Sequence, residues 1–367
     1  MPHSQFSLEV LERVNGEWWN SLVQSVPEGT IFQTTCWADY LKEWANVEPL
    51  YITVSNKENR VVGLLLCFKE AYLTNILSRR PFASVTTSLL RTLTPIYTWR
   101  AGPLILEKKS WREIIDITIN KLKGMAGANA ISFNLTLPPC ELPQEEAREY
   151  LIENGFKATH WATFCVDLTP DKQVLWDNLK KTARRAVRRC QEKGVVVERI
   201  TSEEDLQRYF ELLLETRRRL GFNLPPHFPN TIMWRHLRQR EAVEVFVAKQ
   251  DNMWLAALGV FCFNNILREI AAAQSNYSLD NNIYAGDLIK WEVIKWGHKQ
   301  GYKTYDLAGV SPDPRTAKDK NIYQFKAKWG GKLINYCTYY KQFSGVNKLL
   351  ASAISLSVGL LERMWRK

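Results

Sequence analysis

The chain has 367 residues, a length suited to two domains, and its 46% hydrophobic and 24% charged residues exclude a disordered or fibrous protein. A formal net charge of +11 asks for an anionic partner (nucleic acid, a phosphorylated substrate or a membrane surface) or serves solubility alone. Met1–Gly16 has no signal-peptide core and no run of about 18 apolar residues occurs, so neither a secretory leader nor a membrane-spanning helix is expected. The seven cysteines are scattered, without CxxC spacing or nearby histidines, which points to a reducing cytoplasm and away from a zinc site.

In chain order, residues 17–45 predict two short helices, the second opened by Thr34 or Thr35 as N-cap. Leu50–Val54 and Arg60–Phe68 are paired strands across the polar turn Ser55–Asn59. Trp99–Leu106 is a strand through Gly102-Pro103, Trp111–Lys123 an amphipathic helix and Ala130–Leu135 a strand. Pro143–Asn154 is a helix stopped by Gly155, and Trp161–Leu168 closes this half as a strand. Leu175–Lys193 and Glu203–Leu220 are then helices, and Ala242–Lys249, Trp254–Phe263 and Ile266–Gln274 form a three-strand meander. Asp287–Gln300 is a helix ended by Gly301, Lys303–Leu307 a strand, Ile322–Lys328 a short helix and Leu333–Phe343 a final strand. Both halves run in nearly the same element order. The fold expected is therefore α/β (α+β), in two copies of one unit joined near Thr169-Pro170-Asp171.

Leu175–Lys193 is the sharpest local pattern. Leu179, Ala183, Val187 and Cys190 fall on one helical face, while Lys180, Lys181, Arg184, Arg185, Arg188 and Arg189 fill the other. A solvated face usually interleaves acids to relieve repulsion; this one does not, which fits a phosphate-binding face for tRNA, a nucleotide diphosphate or acidic lipid. The plainer reading is a soluble basic helix. In the next helix Arg217 continues the apolar stripe of Leu206, Phe210, Leu213 and Leu214, so it is either paired inside or aimed into a cleft beside the Pro-rich loop Asn223–Pro229.

Gly301–Gly331 carries the candidate chemistry. Asp306 ends a strand and Lys326 sits on a compact helix across a polar loop, an arrangement that builds a polar cleft. Tyr284, Tyr305 and Tyr323, with Tyr277, are candidates for contacting substrate, or for half-buried packing with a bonded hydroxyl. No P-loop, HExxH, GxSxG or Rossmann fingerprint occurs, and no bound cofactor or metal is expected. The C-terminal run Val346–Trp365 is apolar with flanking Lys348, Arg363, Arg366 and Lys367; it suits a docked terminal helix or a peripheral helix on the inner membrane surface.

Gln33–Trp37, Trp176–Val197, Tyr284–Trp296 and the YDLAG…FKxKWGG pattern of Gly301–Gly331 together resemble the FemABX peptidoglycan aminoacyltransferases and their GNAT-superfamily relatives, over roughly residues 30 to 345. The resemblance implies tandem GNAT-like domains, residues 1–168 and 169–345, followed by an amphipathic helix at 346–367. It implies transfer of an amino acid from aminoacyl-tRNA to the peptide amine of a lipid- or UDP-linked peptidoglycan precursor. The family's Phe-Lys pair falls on Phe325 and Lys326, and its acceptor-binding arginine on Arg217. The basic residue expected about four positions after Trp37 is Leu41 here, with Lys42 next, and there is no room for the long helical hairpin of some members.

In this scheme a neutral amine attacks an ester or thioester carbonyl, Lys326 stabilises the developing negative charge, and Asp306 accepts the proton or orients Lys326. The alternative donor is acyl-CoA, whose family pattern places glycines before the helix after the meander; at Asn281–Gly286, Tyr284 stands where the first of these would be. A non-catalytic RNA- or membrane-binding protein on the same scaffold is the alternative of another class.

Overall fold

The computed structural model describes residues 5–71, 91, 95–126, 132–136, 144–221, 230–342, 349 and 353. The expected Pro-rich loop Asn223–Pro229 and nearly all of the C-terminal helix lie outside them. In chain order the elements are β1 (Phe6–Leu11), α1 (Gly16–Gln24), α2 (Thr35–Ala45), β2 (Glu48–Asn56), β3 (Val61–Ala71), β4 (Pro95–Trp99), β5 (Leu104–Ile105), α3 (Trp111–Ala126), β6 (Ser132–Thr136), α4 (Gln144–Glu153) and β7 (Lys157–Asp167). Next come α5 (Lys172–Asp177), α6 (Lys181–Glu192), β8 (Val196–Arg199), α7 (Glu203–Arg219), α8 (Asn230–His236), β9 (Val243–Gln250), β10 (Met253–Phe263), β11 (Ile266–Gln274), α9 (Asn276–Asp280), α10 (Ala285–Lys299), β12 (Thr304–Val310), α11 (Ala317–Lys326) and β13 (Lys332–Gln342).

Contacts divide the chain into two compact units, Met1–Thr159 with Tyr336–Lys367 and His160–Asn335. The first has strand order β1-β2-β3-β4-β6-β13, antiparallel throughout except for the parallel pair β4–β6. The second has strand order β8-β9-β10-β11-β12-β7, again antiparallel except for one parallel pair, β11–β12, at the equivalent place. Each unit is thus a mixed, mostly antiparallel sheet flanked by helices, in keeping with the expected α/β (α+β) fold. The first core packs Ile52, Leu65, Cys67, Trp99 and Phe133 against Ile114, Ile115 and Leu122 of α3. The second packs Leu255, Val260, Leu267, Tyr305 and Leu307 against Leu288, Trp291 and Ile294 of α10 and the inner face of α6.

Local sequence accounts for most element ends. Thr34 caps α2 through its hydroxyl, which accepts from the amide of Trp37. A capping box between Thr30 and Gln33 builds the one-turn helix before it. Where the structure departs from expectation, a tertiary contact or a special backbone is the cause. The single helix expected over 175–193 is broken at Asn178–Lys180, where Lys180 is extended and its amide donates to the carbonyl of Lys328 (3.0 Å). The single strand expected over 99–106 is split by the left-handed Ala101 and the cis Gly102-Pro103 bond. The short helix expected at Ile322 starts earlier, at Ala317, because the hydroxyl of Thr316 caps the amide of Asp319.

Candidate active site

The site in the second unit begins where two strands part. The parallel pair β11–β12 is in register at Ile266–Thr304, Leu267–Tyr305 and Arg268–Asp306 and stops there, though both strands continue. Beyond this point each strand needs other partners for its backbone. On β12 the register with β7 slips between Asp306 and Gly309, a β-bulge centred on Ala308, whose φ is +61°.

Asp306 anchors the bulge. The carboxylate is 5% exposed; it is ion-paired to Arg268 (Nη1–Oδ2 2.6 Å), accepts from the amide of Ala308 (2.8 Å) and takes the hydroxyl of Thr163. Its oxygens are committed to these partners. Through them Asp306 holds the strand that faces Lys326.

Lys326, on the last turn of α11, is half-buried, and its Nζ donates to the carbonyls of Ala308 and Gly309, both at 3.1 Å. In a regular strand successive carbonyls point in opposite directions. The bulge and the left-handed Ala308 turn both toward one ammonium. Burial pulls the Lys326 ammonium down to about 8, the neighbouring charge of Glu269 opposing that effect. Among the described residues no carboxylate lies within ion-pair distance of it.

A second cluster lies beside Lys326. Consecutive strand residues point to opposite faces, so Tyr305 leaves Asp306 behind and turns toward α10. There its hydroxyl donates to Glu269 (2.6 Å), and the same carboxylate oxygen pairs with Lys290, only 3% exposed. Asp287, one helical turn before Lys290, pairs with Lys328; burial raises its carboxyl and Lys328 counters that. The Phe325 ring takes Lys328 at 4.3 Å and Lys290 at 5.3 Å from its centroid. Across the cluster, Arg268, Lys290, Lys326 and Lys328 face Glu269, Asp287 and Asp306: four cations against three carboxylates. Three cations have their acid, and Lys326 is the fourth.

The other expected residues separate. Tyr305 is fully buried, and its hydroxyl is held by Glu269. Tyr323 is half-buried with its ring edge-on to Phe164 at 5.1 Å. Tyr284 is 41% exposed at the N-terminus of α10. Arg217 is half-buried near the end of α7, and its charge acts on Tyr209. Of the basic face, Lys180, Lys181, Arg185, Arg188 and Arg189 are exposed, and Ala183, Val187 and Cys190 are buried as the spacing required. Arg184 caps the end of α5 through the carbonyl of Asp177 (2.9 Å), and Arg188 lies over the ring of Trp176 (5.5 Å). Sequence reasoning missed Arg268, Glu269, Asp287, Lys290 and Lys328. A signal existed: in LIKWEVIKW and LREIAAA, charges occupy positions whose neighbours are core.

Residues 177–321 match the family model of the acetyltransferase (GNAT) domain. Among solved structures, FemX superposes with a TM-score of 0.70 at 17% identity, over 90% of this chain and 96% of its own. L-PGS from Bacillus licheniformis gives 0.54 at 12% identity, over 97% of this chain and 99% of its own. The C-terminal domain of a lysylphosphatidylglycerol synthetase assigned in Agrobacterium fabrum gives 0.52 at 12% identity, over 93% and 95%. No curated protein matches the chain in sequence. At these identities the structural likeness is one of fold, and the fold is a tandem GNAT architecture. Within the second unit, residues 177–321 are similar to a GNAT acetyltransferase domain, which supports acyltransferase chemistry there.

Proposed function

We propose that the chain transfers an aminoacyl group from aminoacyl-tRNA to the peptide amine of a peptidoglycan precursor, with Lys326 as the catalytic cation. The observation that carries the reading is the uncompensated charge of Lys326 at the parting of β11 and β12. The neutral amine attacks the ester carbonyl, the carbonyl oxygen becomes an oxyanion, and the tRNA ribose hydroxyl leaves. One proton passes, in net terms, from the attacking nitrogen to the leaving oxygen. A fixed ammonium with no acid of its own is suited to the oxyanion, because stabilising it needs no ion pair to be broken. Phe325 and the edge provided by Tyr323 and Tyr284 supply apolar walls for the donor, and Arg217 a cation for the acceptor's carboxylate.

Exposed Lys180, Lys181, Arg185, Arg188 and Arg189 support a polyanionic donor. The fold likeness to FemX supports the peptidoglycan acceptor, and the likeness to the lysylphosphatidylglycerol synthetases supports an aminoacyl donor and an acceptor at a lipid surface. Among the described residues no helix is long and apolar enough to cross a membrane, so contact with a lipid-linked acceptor is peripheral in this reading. A second reading, acyl-CoA as donor, is favoured by the acetyltransferase match and by the open space ahead of Gly286 at the start of α10.

The deciding experiment offers charged tRNA or acetyl-CoA to the full chain with a lipid-linked or UDP-linked muropeptide, and reads product mass. Product from charged tRNA alone is expected; product from acetyl-CoA alone transfers the reading to acyl-CoA. Lys326→Ala should lower turnover by about 100-fold or more, the usual cost of losing one oxyanion donor, with little change in melting temperature. Equal losses of both identify a structural lysine and favour a non-catalytic scaffold.

A further inference from the structure

The proposed role of Lys326 leaves one feature of its surroundings unused. Glu269, its side chain 9% exposed, stands at the first position beyond the last paired residues of β11 and β12, beside the only uncompensated cation of the cluster. It does not pair with that cation. It is held by Lys290 and by the hydroxyl of Tyr305, both on the α10 side. Lys290 is in turn held by the Phe325 ring at 5.3 Å and the Tyr305 ring at 6.0 Å, and Phe325 is the residue before Lys326. Tyr305 is fully buried, so Glu269 has a rigid partner and little freedom to swing.

Resting on the reading of Lys326 above, we infer that Glu269 and Lys290 are positioning residues: by engaging each other they keep Glu269 from neutralising Lys326 and leave that ammonium available to an incoming anion. Two buried charges that could have been apolar are expensive unless paired. Their presence next to a lone ammonium has a purpose if the pair sets its charge. The charged groups facing Lys326 are Glu269 and Arg268 from β11, Lys290 from α10 and Asp306 from β12. Arg268 and Asp306 cancel one another through their own ion pair. The pair Glu269–Lys290 is therefore the adjustable one. Remove Glu269, and Lys290 becomes a second unpaired cation that repels the proton on Lys326. Remove Lys290, and Glu269 is freed to pair with Lys326. The two substitutions act in opposite directions, which loss of packing alone does not produce.

The test follows the Lys326 ammonium directly, by NMR of the full chain with isotope-labelled lysine side chains, the signal assigned by its loss in Lys326→Met. The wild-type midpoint is expected at about 8. Glu269→Gln should move it down, and Lys290→Met up, each by about one unit, the lower end of what a neighbouring charge does. If either charge variant fails to fold, Tyr305→Phe serves: it removes a hydroxyl and no charge, releases Glu269 toward Lys326, and should move the midpoint up. An unmoved midpoint in the variants that fold, or shifts of one sign in both charge variants, overturns the inference. The readout needs no turnover, so its outcome is separable from that of the function. Opposite shifts with a fully active Lys326→Ala enzyme keep the pair and dismiss the catalytic lysine; unmoved midpoints with an inactive Lys326→Ala enzyme do the reverse.

Discussion

Lys326 is a cation kept at a cost. Its ordinary affinity for a proton is that of the unfolded chain, and burial lowers it to about 8 in the folded chain. Below that pH both states carry the proton, and the folded state bears the full penalty. As pH rises from about 8 toward the ordinary lysine range, the folded state gives up its proton first and the penalty fades. The stability difference between Lys326→Met and wild type should therefore move in favour of wild type by on the order of 1–3 kcal/mol as pH is raised from about 7 to about 10, read from urea unfolding at each pH. A constant difference would mean that the ammonium is not strained. Ala308 makes a second residue-scale case. Its left-handed backbone aims two carbonyls at Lys326, and a β-branched side chain tolerates that conformation poorly. Ala308→Val should lower stability by about 1–2 kcal/mol and activity along with it; Ala308→Gly should leave both near wild type. The chain alone pointed to Lys326 through the FKxKWGG pattern, but the partner it suggested, Asp306, is occupied by Arg268. Spacing could not reveal that, because the two residues meet only through the register of β11 and β12.

At the scale of elements, α11 and α6 show two ways of using polar residues. None of the residues of α11 is buried, so no apolar stripe fastens it. It is held by Lys326 on the bulge, by Phe325 between two lysines and by Tyr323 against Phe164. The turn that follows closes tightly: Gly330 has φ of +77°, and a β-carbon there would stand 3.0 Å from the carbonyl oxygen of Asn178. Gly330→Ala should cost about 1–2 kcal/mol in chemical denaturation and loosen the Lys328 ion pair. On α6 the apolar stripe was legible from periodicity and is buried as expected. Its basic face was legible as a face, but not as individuals. Arg184 and Arg188 are engaged by α5 and Trp176, whereas Arg185 and Arg189 are exposed and, among the described residues, have no acid within ion-pair distance. The double change Arg185→Ala and Arg189→Ala should leave the melting temperature unaltered and reduce the salt slope of tRNA binding by about 2. An unchanged slope would take the polyanion off this face.

For the whole molecule, a net charge of +11 is a statement about partners rather than about fold. If the donor is a tRNA, affinity should fall by about tenfold or more between low and physiological salt; a flat response would fit a small donor better. The sequence by itself determined the class of fold and the repeated element order, because hydrophobic period, caps and glycine stops are local and act within a few residues. It also determined the basic face and the lysine to watch. The tertiary structure alone decided that, among the described residues, each unit's sheet holds one parallel pair, and that β11 and β12 part after Arg268 and Asp306. It alone decided which carboxylate meets which cation. Glu269 and Lys290 are 21 positions apart, Thr163 and Asp306 143, and Arg268 and Asp306 38. Pairings at such distances depend on strand register and helix packing, which no local pattern encodes, and the charge left over on Lys326 is the remainder after all of them are made.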